Sequence, residues 1–188
     1  MSDNNFWNII GTSLADDQDE QSKRLAASLS QLSKDDLIAF EAAYRTKLRE
    51  AYHWDLWAGA YIINGGCSDD GFDYFCDWLI SRGRAVYEAA LKNPETLIGI
   101  ATPWETAFED FRYIMMDVMR EKHGGEFPAP STPWPKSPAG EDWDEDTVNT
   151  KYPKLAEWTE NEAPVITPPP PSTPPQKSSF WQRLFGKG

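Results

Sequence analysis

WDLWAGAYIINGGCSDDGFDYFCDWLISRGR, residues 54–84, holds the densest pattern in the chain. From His53 to Ile63 the residues are apolar nearly all round, which predicts a buried helix rather than a surface one. Asn64-Gly65-Gly66 ends it, because glycine tolerates the left-handed conformation that closes helices. Ser68, Asp69, Asp70 and Asp73 then surround the start of a second helix. Carboxylates at a helix N-terminus interact favourably with its dipole, each by roughly 0.3–1 kcal/mol. Phe72, Phe75, Leu79, Val86 and Leu91 follow at helical spacing and predict one long helix from about Gly71 to Leu91, stopped by Asn93-Pro94.

The same period extends outward on both sides. Phe6, Trp7, Ile9 and Ile10 mark a short opening helix, and Leu25, Leu29 and Leu32 a second. Ser33 with Asp36 has the form of a capping box, opening a helix that carries Leu37, Phe40, Ala43, Tyr44 and Leu48 on one stripe. Pro103 in a first-turn position predicts a last long helix running to His123 and ending at Gly124-Gly125; its Phe108, Phe111, Ile114, Met115, Val118 and Met119 form a core stripe. Thirteen of the fifteen prolines lie at or after Pro128, and this shift sets the main boundary. The reading is all-α: a bundle-like domain of five to six helices over residues 1–125, an acidic tryptophan-containing extension over 126–162, a proline-rich linker over 163–177 and a short aromatic, basic end over 178–188.

The 188 residues carry a formal charge of −12, and because Lys177, Arg183 and Lys187 stand alone in the last 26, the first 162 carry −15. An acidic body repels a phosphate backbone, which argues against nucleic acid as a partner. No run reaches the roughly 18 apolar residues of a membrane span, and MSDNNFWNII has neither the basic nor the apolar region of a signal peptide. Cys67 and Cys76 are too few for a disulfide scaffold, so a reduced, cytoplasmic setting is expected.

Three uses of the 54–78 segment follow from its residues. The structural one makes Ser68 or Asp69 a helix cap and the aromatics core. A recognition surface is the second: Trp54, Trp57, Tyr61, Tyr74 and Trp78 cannot all bury their rings with the polar tips satisfied, and with Asp69, Asp70 and Asp73 on the rim they suit a cationic partner. The third is chemistry. Asp69, Gly71 and Asp73 lack the oxygen alternation of a calcium loop, and Cys67, Cys76 and His53 lack zinc-ligand spacing, so neither metal nor cofactor is expected. A Cys67–His53 pair would supply a nucleophile and base, although a buried inert thiol and a histidine at a helix start are the commoner arrangement. Asn64-Gly65-Gly66 has no phosphate-loop spacing. The candidate binding residues are Trp54, Asp55, Trp57, Asn64, Cys67, Ser68, Asp69, Asp70, Asp73 and Tyr74. Arg82, Arg84 and Arg112 read as surface counter-charges of little worth.

The stretch from Trp54 to Phe75 resembles the signature of a bacterial family known as domain of unknown function 4240, with the likeness extending over about residues 3–125. The residues that carry it are Trp54, Asp55, Trp57 and the unbroken run from Asn64 to Phe75. Members are usually small cytoplasmic proteins. The resemblance brings no established activity and therefore assigns no catalytic residue.

Proline fixes φ, so PVITPPPPSTPPQ at 164–176 favours an extended spacer rising about 3.1 Å per residue. Beyond it Phe180, Trp181, Leu184 and Phe185 fall on one side of a two-turn helix, too short to hold its shape alone in water. Such an end folds back on the acidic body, stays disordered, or docks on a partner protein; membrane adsorption is the weaker reading, because two cations and one apolar turn give marginal affinity. The expected function is a non-enzymatic interaction module with a tethered hook, an immunity or antitoxin-like protein being one form. The alternative is a small-ligand-binding domain or enzyme with its site at the Asn64–Asp73 turn.

Overall fold

A computed structural model describes residues 1–162; the hook residues Phe180, Trp181, Leu184 and Phe185 lie outside the described residues. Those residues form nine α-helices and one 3₁₀ turn, with no strand among them. In chain order the helices are α1 (Asp3–Ser13), α2 (Gln18–Leu29), α3 (Lys34–Ala51), α4 (Trp54–Asn64), α5 (Asp69–Ser81), α6 (Arg84–Lys92), α7 (Phe111–His123), α8 (Val148–Lys151) and α9 (Pro153–Glu162). The 3₁₀ turn Pro94–Leu97 joins α6 to an irregular segment.

Local chemistry sets most of the helix starts. The Ser2, Asp17, Ser33 and Ser68 side chains each accept a backbone amide three residues on, satisfying a donor the helix cannot. At Ser33 the hydroxyl also donates to Asp36 Oδ2 at 2.6 Å, closing the expected box. His53 caps α4 through Nδ1, which accepts the Asp55 amide at 3.2 Å.

Helix α5 sits at the centre, packed by α3, α4, α6 and α7, and nine of its thirteen residues are buried. Phe72, Phe75, Leu79 and Ile80 meet Phe40, Leu48, Ile63 and Phe111 in one continuous apolar core.

Two boundaries differ from the sequence reading. The single helix expected from Gly71 to Leu91 is two, because the chain turns at Gly83 with φ 89° while the apolar period runs on across the break. The last long helix begins at Phe111, not Pro103. Tertiary hydrogen bonds hold residues 98–110 outside any helix: the Phe108 amide donates to Tyr74 O at 3.1 Å, and Thr106 Oγ1 to Asn64 Oδ1 at 2.8 Å.

The acidic extension lies on the helices. Residues 124–147 form an irregular strap across the α3–α4 corner, and α8 and α9 then dock on α4, burying Val148 and Leu155.

Candidate functional site

The ten candidate residues fall into three environments. Trp54, Asp55 and Trp57 are half-buried at the start of α4 and face the strap. The Trp54 ring stacks on Trp57 at 5.5 Å, and Trp57 stacks flat on Phe72 at 4.7 Å, so the pair bridges surface and core. Trp57 Nε1 donates to Cys67 O at 3.0 Å, which ties α4 to the turn behind it. Asp55 pairs with Lys151 at 2.6 Å; burial opposes its charge, but the ammonium prevails and lowers its pKa.

Asn64, Cys67, Ser68, Asp69, Asp70 and Tyr74 form the second environment, the α4–α5 turn and the first turns of α5. Ser68 is the cap: its Oγ accepts the Gly71 amide at 3.2 Å. Asp69 and Asp70 are exposed in the first turn, while Asn64 is taken up by Thr106. Tyr74 donates its hydroxyl to Glu109 at 3.1 Å; burial, then the glutamate, push its pKa up to about 12. Burial and the nearby Asp69 and Asp73 likewise push the Cys67 thiol up to about 12. It stays a thiol at neutral pH, unlike a nucleophile, which needs the opposite shift. His53 is engaged elsewhere, in capping α4 and against Gly140.

Asp73 stands apart from both. It is buried rather than on the rim, and with Asp77, Tyr44 and Arg112 it forms a charged cluster inside the core. Arg112 reaches Asp73 Oδ2 at 3.5 Å, donates from Nη2 to Asp73 O at 2.8 Å, and donates from Nε to Asp77 Oδ2. Tyr44 donates to the other Asp77 oxygen. Burial pushes Asp73 up to about 8 and Asp77 up to about 6, against the pull of Arg112. For Arg112 burial works the other way, but the carboxylates prevail and raise it. This corrects the reading of Arg112 as a surface counter-charge: α7 is the neighbour of α5, so a cation there enters the core. Arg84 does lie at the surface, pairing with Asp3 and Glu88, and Arg82 donates to Gln21.

One residue at the turn escaped the sequence reading. Trp104 is 43% exposed and has φ 70°, the left-handed conformation that only this non-glycine among the described residues adopts. Its six-membered ring lies where a Gly65 side chain would project, and its amide donates to Ile63 O at 3.4 Å. Holding a large residue this way costs on the order of 1–3 kcal/mol, offset by the surroundings that fix it. A tryptophan among small and polar residues, in IGIATPWETAFED at 98–110, was the available signal.

Burial and geometry together define an all-α domain with a buried cluster of acids around Arg112 and two aromatic faces, one covered by the strap and one open at the α4–α5 turn. The chain belongs to the family described as protein of unknown function (DUF4240), whose model matches residues 1–121. No curated protein and no solved structure matches it. Among the described residues no helix is long and apolar enough to cross a membrane.

Proposed function

We propose that this chain is a cytoplasmic, non-enzymatic protein-interaction module whose open face takes a cationic partner. The observation that carries the reading is Trp104: a large ring held exposed in a strained conformation, over the turn where Asp69 and Asp70 stand and beside the segment carrying Glu105 and Glu109. Tryptophan is a frequent interface anchor, and surrounding acids speed encounter with a basic surface. The body's −15 charge acts in the same direction at longer range. Neutralising a basic partner, as immunity and antitoxin-like proteins do, is one form of this reading. Residues 178–188 supply a second, tethered contact.

The test is capture from native lysate at low and high salt with the full chain, a chain ending at Pro175, Trp104→Ala and the Asp69→Asn/Asp70→Asn pair. The captured partner is then titrated against each purified protein. The expected result is a stoichiometric basic partner, lost with Trp104→Ala and bound more weakly by the double variant as salt rises. A partner lost only on truncation moves the function to the C-terminal end. No partner with any chain at either salt overturns the reading.

A further inference from the structure

The strap is seated as a bound peptide is seated. Ala139 pairs with His53 in a single parallel bridge: its amide donates to Tyr52 O at 3.0 Å, and the Trp54 amide donates to its carbonyl at 2.9 Å. Next to it, Gly140 lies so close to the His53 ring that any side chain would strike the imidazole. Three residues on, the Trp143 ring packs edge-on to Trp54 at 6.2 Å and against Tyr61 at 5.0 Å, and its Nε1 donates to Trp54 O at 3.0 Å. Nine residues earlier Trp134 packs on Tyr52 at 5.5 Å and beneath the Arg49 guanidinium, whose Nη2 donates to Thr132 O at 2.9 Å. Backbone pairing for affinity, with side-chain pegs for specificity, is how an extended peptide is recognised.

The seat is also shallow. From Gly124 to Thr147 no residue is buried, whereas Val148 and Leu155 directly after it are. Where Pro128–Thr132 pass over α3, the fit leaves an open groove of about 450 Å³ lined by Ile38, Ala42 and Arg45 among others. Irregular segments beyond about 12–15 residues within a compact domain are uncommon, and functional lids are frequent among them. Charge opposes the contact as well: residues 126–147 carry −5 and rest on residues 1–125, which carry −9. The strap lies wholly beyond residues 1–121, the part that matches the family, and yet covers the Tyr52, Trp54 and Tyr61 rings of that part.

We infer that the Tyr52–Tyr61 face is a docking site for an extended, tryptophan-bearing segment without the strap's negative charge, and that residues 132–143 are the occupant the chain supplies to itself. The contacts define the partner's chemistry: a tryptophan for the slot between Trp54 and Tyr61, a glycine facing His53, and before it a residue with a free amide to pair with Tyr52 O. Tethering gives the strap an effective concentration on the order of millimolar, so it excludes weaker ligands while closed. This face is separate from the Trp104 face, and its failure would leave that reading untouched.

The test uses the full chain and a labelled synthetic peptide of residues 131–147, with Glu141, Asp142, Asp144, Glu145 and Asp146 replaced by their amides. Two variants loosen the cis contact by different means: Gly140→Val drives a side chain into His53, and Ala139→Pro removes the amide that reaches Tyr52 O. Apparent affinity scales with the open fraction, so anisotropy is expected to show binding about tenfold or more tighter to each variant than to the natural chain. A peptide with alanine in place of Trp143 is expected not to bind. Hydrogen exchange is expected to quicken over 126–147 and at the Trp54 amide, which loses the Ala139 carbonyl, and to stay unchanged in α3, α5 and the rest of α4. Equal binding to all three proteins, or to none, overturns the inference. So does loss of protection across α4 and α5 in both variants, since the strap would then be part of the fold rather than a ligand.

Discussion

Helix α5 and the strap are built from the same kinds of residue, tryptophan and aspartate, under opposite conditions. In α5 nine of thirteen residues are buried, and Asp73 and Asp77 meet Arg112 inside the core. In the strap none of the residues is buried, and its acids stand in water. A buried charge is costly to leave unpaired, and a buried ring is costly to remove; at the surface both statements lose most of their force. The most recognisable motif of the chain therefore marks, through α5, where the fold is held. Of its aromatics, Trp54 is half-buried against the strap.

The largest test of this contrast is Arg112→Ala, which strips the guanidinium from the buried acids Asp73 and Asp77. It is expected to cost about 3–5 kcal/mol in urea unfolding. Lys151→Ala, which breaks the partly exposed pair with Asp55, is expected to cost no more than about 1 kcal/mol. Similar costs for the two would mean that burial does not separate these regions. Next come the tryptophans. Trp78→Ala in α5 is expected to lose about 3–5 kcal/mol, and Trp143→Ala in the strap about 1 kcal/mol, with the far-ultraviolet spectrum retained.

The third test is pH. Folding raises the Asp73 pKa from an ordinary 3.8 to about 8, so the folded chain keeps a proton that the unfolded chain has released. Stability from this group is therefore greatest towards acid and falls as pH climbs from roughly 4 to about 8, above which both states are ionised. Urea midpoints at pH 5 and pH 8 should show the fall, and Asp73→Asn should flatten it; a midpoint that rises over that range would contradict the assignment. The smallest effect is at the cap. Ser68→Ala should cost about 1 kcal/mol, and neutralising Asp69 and Asp70 roughly 0.3–1 kcal/mol each. Thermal melts of the three variants check both figures.

How legible all this was in the sequence depended on how local the cause is. The start at Ser33 and the stop at Gly65 arise from neighbouring residues and stand where the sequence placed them, and of the two caps it offered for α5, Ser68 or Asp69, the structure uses Ser68. The break at Gly83 was hidden because Val86 and Leu91 continue the apolar period of α5. Residues 98–110 looked like the start of a helix, and only hydrogen bonds to Asn64, Ile63 and Tyr74, distant in the chain, hold them otherwise. Arg112 carries no mark of its burial, since an arginine between Phe111 and Tyr113 fits either face of a helix until the neighbour is known. Of the ten candidate site residues, Trp54, Asp55, Trp57 and Tyr74 are half-buried and Ser68, Asp69 and Asp70 are exposed. Asp73 was drawn among them by its nearness in sequence to Asp69 and Asp70; one turn along the helix it does lie on their side, but there it meets Arg112 of α7 and is buried.

The stacked indoles of Trp54 and Trp57, with Trp143 set at 88° to the first, also give the chain a built-in optical gauge. Closely spaced chromophores couple their electronic transitions, and the sign and strength of the coupling follow their mutual angle. Lifting Trp143 away changes that angle and wets the Trp54 ring, which alters the near-ultraviolet circular dichroism and shifts the emission to longer wavelength. Opening of the strap can thus be timed in a stopped-flow instrument with no label attached.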